Sequence, residues 1–341
     1  MKTWQKLVFI LALVVFVSVS VTISLISISK PAYAFDEKTA IGGDEALRGW
    51  VLTGFNGNAS TKTLTIDYVR DKDGKEPDAA RPVVAVNAYA VNADEYVEEL
   101  IIGPSVQRIE ETSFYNLKKL QRVTVDPENR IYTDRDGILF TKDGKTLLLY
   151  PACYRKTTDN AGDSTYPNSY AVPEGVERIG TFAFLKNEHL RDLMLPFSLR
   201  EIGDMAFFGC TRLGACDYEK SLDMLAGTGF SLPDGLEKIG SDAFSKCVSI
   251  APVLYFPASL REIGHHAFFS CSGIKALYFA AADEEMLSLG EAWRPKNIKA
   301  GPLWKAPDPQ FGKTRADGDA LIEDYRAELL TRGREEALKN G

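Results

Sequence analysis

Three groups of residues in this 341-residue sequence have side chains suited to chemistry, and their spacing decides what they can do. His265-His266 invites a metal ion. Side chains on adjacent residues seldom converge on one ion, and no Cys-x-x-Cys or His-x-x-x-His lies nearby, so the pair reads as ordinary variable positions. Asp71-Lys72-Asp73-Gly74 and Asp134-Arg135-Asp136-Gly137 begin like calcium loops. Neither continues with the full ladder of oxygen ligands and a Glu at the twelfth position, so both read as turns. The third group is Cys153, Cys210, Cys216, Cys247 and Cys271, an odd number that leaves at least one thiol unpaired in a monomer. A nucleophilic cysteine needs a nearby base, and the sequence has only three histidines, none at a matching position. No Gly-x-Ser-x-Gly elbow appears either. No residue is assigned a catalytic, cofactor-binding or metal-binding role, and the chain is expected not to be an enzyme.

These residues sit in a repeated pattern. Val106–Phe114, Val176–Phe184, Leu199–Phe207, Leu236–Phe244 and Leu260–Phe268 each read apolar-x-x-Ile, four residues, then Phe. The last four share Ile-Gly-x-x-Ala-Phe, and a degenerate copy starts at Val83. The starts are 23, 70, 23, 37 and 24 residues apart. The long gap suits two irregular coils, and the 37-residue one suits a coil plus a loop at about 217–229. Most copies follow a short run of alternating apolar residues ending in Pro, such as Leu193-Met194-Leu195-Pro196 and Leu254-Tyr255-Phe256-Pro257. The alternation predicts a strand that Pro ends. Gly after Ile is read as permitting a tight turn. Ala is read as meeting the next coil, and Phe as filling the core. One such unit cannot bury its apolar side, but stacked copies can, which predicts a solenoid. In it Cys210, Cys247 and Cys271, each three residues after a repeat Phe, stack in one column. That column is either buried small apolar side chains or disulfides between neighbouring coils, since a strand spacing of about 4.8 Å permits both.

The unit Leu-x-Ile-Pro-x-x-Val-x-x-Ile-Gly-x-x-Ala-Phe-x-x-Cys resembles the BspA-type leucine-rich repeat family of bacterial surface proteins, over about residues 50–280. The resemblance implies an extracellular, usually non-enzymatic module for adhesion to other cells or to host matrix proteins. Departures are the degenerate first copy, Glu110-Glu111 in place of the Gly turn, and the loop before Phe230. The hairpin-like segment 129–151, read as a strand from Asp136 to Thr141, an Asp143-Gly144 turn and a strand from Thr146, also resembles the family.

The flanks complete the expected organisation. Residues 1–34 have a basic start at Lys2 and Lys6, no charge from Leu7 to Ser29, and Ala32-Tyr33-Ala34 at the end. This is the layout of a signal peptide cleaved after Ala34; the alternative is an uncleaved N-terminal membrane anchor. Without that segment the chain carries 37 basic against 47 acidic residues, which suits an exported protein and excludes a nucleic-acid partner. Residues 35–82 are expected to be N-terminal strands and cap, and residues 83–280 the solenoid. Residues 281–313 follow as a cap and Pro-rich connection. Trp293, Leu303 and Trp304 are expected to cover the open end. Residues 314–341 hold a helix over Asp317–Lys339 with Leu321, Ile322, Tyr325 and Leu329 on one stripe. The fold class expected is mainly β: a leucine-rich repeat solenoid with a parallel strand row, short helical turns and a C-terminal helix.

Alternation along the strands before Pro turns Met194 outward, together with Thr124, Ala171, Ser231, Tyr255 and Tyr278. Thr124, Met194, Ser231, Tyr255 and Tyr278 form the candidate ligand-binding face, the alternative being a merely solvated sheet. The expected function is protein–protein or cell-surface binding, with an extracellular or cell-surface protein as partner, no cofactor, and membrane contact only if the N-terminal segment stays attached. Two other classes are a passive envelope scaffold docking through the C-terminal helix, and a hydrolase with its site in the irregular inserts.

Overall fold

The computed structural model describes residues 32–38, 47–70, 76–91, 95–115, 117–155, 157–158, 164–214, 231–250, 253–274, 276–281, 283–294, 309–314 and 316–317. They coil into a solenoid with two parallel strand rows where the sequence suggested one.

The first row, the Ile row, is built on the Ile of Ile-Gly. Thr146–Leu149, Arg178–Ile179, Glu201–Ile202, Lys238–Ile239, Glu262–Ile263 and Ser288–Leu289 pair in parallel without a break. The second, the Pro row, is the one that alternation revealed, and it is broken into three. Thr63–Ile66, Glu99–Ile102 and Arg122–Val125 form one sheet. Ser169–Ala171 pairs with Asp192–Met194 in another. Val253–Phe256, Ala276–Phe279 and Pro309–Gln310 form the third. The breaks fall where residues 126–168 and 214–230 are inserted between successive coils. The first insertion also breaks the Ile row, because it holds Thr146–Leu149, and Arg108–Ile109 pairs with Pro77–Val86 in a separate sheet. Across the second the Ile row stays in register, Glu201–Ile202 against Lys238–Ile239.

The repeat glycine works differently from expectation. None of Gly180, Gly203, Gly240 and Gly264 has a positive φ. A Cβ at Gly240 would lie 2.6 Å from the carbonyl carbon of Gly203 on the preceding coil. Glycine is there because two backbones meet. The left-handed turn comes two residues later, at Phe182, Met205, Asp242 and His266, with φ of 60°, 51°, 53° and 53°. The turns between the rows are not helical: among the described residues regular helix is confined to the 3-10 turn Glu284–Met286 and to Ala316-Asp317. The C-terminal helix expected over Asp317–Lys339 falls, but for helical Asp317, outside the described residues.

Phe fills the core as expected. Phe184, Phe207, Phe244 and Phe268 are buried and stack in a column, with centroids 4.8, 5.0 and 5.2 Å apart. Ala206, Ala243 and Ala267 each accept a hydrogen bond from the Phe N–H of the preceding coil, at 2.7–2.8 Å. At the C-terminal end the rings of Trp293 and Phe279 meet edge-on at 5.7 Å, and Phe311 stacks on Phe279 at 5.0 Å. Leu303 and Trp304 lie outside the described residues. Ser288-Leu289-Gly290 forms an additional coil, with Trp293 in the alanine slot, accepting from the Phe268 N–H at 2.9 Å.

The two large parts of the core are divided by a strand of the hairpin segment, and Val51, Val84 and Ala85 form a small third cluster. Ile138 and Phe140 face the C-terminal core, and Leu139 faces the N-terminal one. A continuous apolar run is what a strand buried on both faces requires. Tyr132–Arg135, Ile138–Thr141 and Thr146–Leu149 form an antiparallel meander, turning at Asp136-Gly137 (φ 55° and 84°). At the N-terminal edge Ala32–Lys38 pairs antiparallel with Gly49–Asn56. The strand straddles the expected cleavage point; residues 1–31 lie outside the described set.

Candidate functional site

The thiols can be dismissed first. Sγ of Cys210, Cys247 and Cys271 donates to the carbonyl oxygens of Phe184, Phe207 and Phe244, at 3.1, 3.1 and 3.0 Å. All three are buried and free, so the column is packing and not disulfide bonding. Burial pushes the Cys210 thiol up to about 12 and raises those of Cys247 and Cys271 further from reactivity. Cys153 is half-buried, its Sγ donating to the Lys118 carbonyl oxygen at 3.3 Å, and Cys216 lies outside the described residues.

The His265-His266 pair separates in the same way. Nδ1 of His265 accepts the Glu291 N–H at 3.0 Å, and the adjacent His266 packs on the ring of Phe269. Asp204 plays the part of His265 two coils earlier, accepting the Ser241 N–H at 2.7 Å. The first variable position therefore stitches coils together. Among the described residues no three His, Cys, Asp or Glu side chains are grouped to hold a metal.

The outward face of the Ile row carries two columns of charge that the repeat pattern had hidden among its variable positions. One runs Glu177, Arg200, Glu237, Arg261, and the other Arg178, Glu201, Lys238, Glu262. Sign alternates along both. Arg178 lies 3.5 Å from Glu201, Lys238 3.2 Å from Glu262, and Arg200 3.9 Å from Glu237. Lys145 meets Glu177 at 2.8 Å, and Glu111 reaches across the seam between the two cores to Arg178 at 2.5 Å. Each exposed pair contributes little stability. Their joint effect is a face whose charge is matched internally.

The outward face of the Pro row is different. Met194 is 67% exposed and stands beside exposed Ala171 in the strand register. Phe197, 79% exposed, follows Pro196 on the same coil. Burying a Met or Phe side chain is worth about 1.5–3 kcal/mol, so two exposed together forgo a large gain. Thr124 is exposed in the first sheet segment, where its hydroxyl donates to Glu99 at 3.3 Å. Ser231 is exposed but in no strand, and Tyr255 and Tyr278 are register partners in the third segment, half-buried. The five expected residues thus fall on one side of the coil without forming one continuous sheet. Sequence reasoning missed Phe197, because it lies beyond the alternating strand. The signal was a ring where the other copies carry Glu174, Asp234 and Ala258.

Comparison with known proteins now decides the family. A model described as the BspA type leucine-rich repeat region, in six copies, matches residues 84–135, 159–231 and 223–288, more than half of the chain. The chain belongs to the BspA-type leucine-rich repeat family. No curated protein matches it. Among solved structures it is similar to the pneumococcal vaccine antigen PcpA, at 21% identity and a TM-score of 0.50, over 70% of this chain and 56% of that one. It is also similar to a leucine-rich repeat protein from Eubacterium ventriosum, at 17% identity and 0.48, over 70% and 64%. A third is a leucine rich cell surface protein from Faecalibacterium prausnitzii, at 20% and 0.43, over 60% and 53%. At these identities the likeness is one of fold, and this BspA-type chain spans less than two thirds of each relative.

Proposed function

We propose that this BspA-type protein is exported, is cleaved after Ala34, and binds an extracellular or cell-surface protein through the Pro-row face centred on Met194 and Phe197, without catalysis. The observation that carries the reading is the exposure of those two side chains, 67% and 79%, three residues apart on one coil. Large apolar side chains exposed together on an otherwise polar surface are characteristic of interfaces. Family membership supports the placement outside the cell, as does the signal-peptide layout of residues 1–34. The strained φ of 60° at Phe182 and 51° at Met205 belongs to the turn column and recurs at Asp242 and His266, so it marks the repeat and not a site.

The test is binding of the labelled protein to intact cells before and after protease treatment of their surface. Wild-type protein should bind, protease should abolish binding, and Met194→Ser/Phe197→Ser should weaken it at least tenfold. Unchanged binding by the double variant contradicts the placement of the site.

A further inference from the structure

The charge around Met194 and Phe197 specifies what kind of partner the face accepts; this rests on the reading just given. We infer that the partner is a protein segment presenting an apolar anchor flanked by lysine or arginine. Two contrasting surfaces carry the argument.

On the Ile row, carboxylates are answered within the fold: Glu111, Glu177, Glu201, Glu237 and Glu262 each pair with Lys or Arg. Beside Met194 the situation reverses. Asp192 lies two residues earlier on the same outward side of the strand and forms no ion pair among the described residues. Glu174, on the preceding coil, accepts the Phe197 N–H at 3.1 Å and likewise forms no ion pair there. Two carboxylates without a cationic partner among the described residues therefore flank the two exposed apolar side chains. A second copy of this chain would bring Asp192 and Glu174 against their own kind, which disfavours self-association through this face. A cationic segment would satisfy both while its apolar side chain covers Met194 and Phe197. The excess of acidic over basic residues in the chain would also steer such a segment inward.

The experiment uses three synthetic decapeptides, alternating Leu-Lys, Leu-Ser and Leu-Glu, titrated against the protein by fluorescence anisotropy at about 50 and 300 mM salt, where screening differs clearly. The Leu-Lys peptide should bind at least tenfold more tightly than Leu-Ser at low salt, with Leu-Glu weakest. Asp192→Asn/Glu174→Gln should remove most of that preference and leave Leu-Ser binding in place. Glu237→Gln/Glu262→Gln on the Ile row should leave the preference intact. Circular dichroism confirms that each variant is folded. If Leu-Ser binds as tightly as Leu-Lys, or if the Ile-row variant loses as much preference as the Asp192/Glu174 variant, the cationic partner is wrong. Should Met194→Ser/Phe197→Ser still weaken binding in that case, the face itself survives. If that variant changes nothing, or no peptide binds, the face reading falls instead.

Discussion

The rings of Phe207 and Phe244 lie 5.0 Å apart and within 5° of parallel, although 37 residues separate them in the chain. Each is the Phe of an Ile-Gly-x-x-Ala-Phe copy, and each is wholly buried. Phe207→Ala should therefore destabilise the fold by about 3–5 kcal/mol, as a truncated core aromatic does. Chemical denaturation reads this directly. A loss below about 1 kcal/mol would mean that the column is not what holds the coils together.

Gly264→Ala tests the close approach of two backbones. The added methyl would overlap the backbone of Ser241 on the preceding coil. Overpacking of this kind costs about 1–3 kcal/mol. The same change at Gly175, where nothing lies within 4 Å but φ is +92°, should act through backbone strain alone. Comparable thermal shifts from rings or methyls added on the open surface would remove the distinction.

Thiol labelling separates structure from chemistry. Under native conditions Cys210, Cys247 and Cys271 should resist iodoacetamide, because burial raises all three thiols well above their ordinary value. Labelling of Cys153 should come first, since it is the half-exposed one among the described cysteines. Rapid native labelling of Cys247 by mass spectrometry would contradict the packing.

The ion pair between Glu111 and Arg178 predicts a pH dependence. Burial works to raise the Glu111 carboxyl, but the Arg178 guanidinium and the Thr181 N–H outweigh it and hold the group below its ordinary 4.5. Because the folded value is depressed, its stabilising contribution is present above about pH 4.5 and is lost as pH falls through the folded value. The melting temperature of wild-type protein should fall more steeply below that pH than that of Glu111→Gln. Parallel curves would show that the pair does not couple the two cores.

Much of this architecture was legible because the repeat is strict. Ile202, Ala206 and Phe207 have one role each in every coil, and period and spacing expose them. The Ile row was harder to see, since two residues such as Glu201-Ile202 are too few to show alternation. Gly240 was readable as essential, but its reason lies in a contact with another coil, which local sequence does not state. The coil at Leu289-Gly290 escaped notice because Trp293 stands where Ala267 does in the coil before it. Of the candidate site, Met194 followed from alternation. Phe197 did not, because it stands after the Pro that ends the strand, where periodicity has no hold.

The central claim is that the Pro-row face at Met194 makes the protein contact. A photo-crosslinking amino acid placed at position 194, and separately at Lys238 on the charge-matched Ile row, tests it most directly. After irradiation of the protein bound to cells, position 194 should give a discrete covalent adduct to a surface protein, and position 238 should give none. Adducts at 238 with none at 194 would contradict the account.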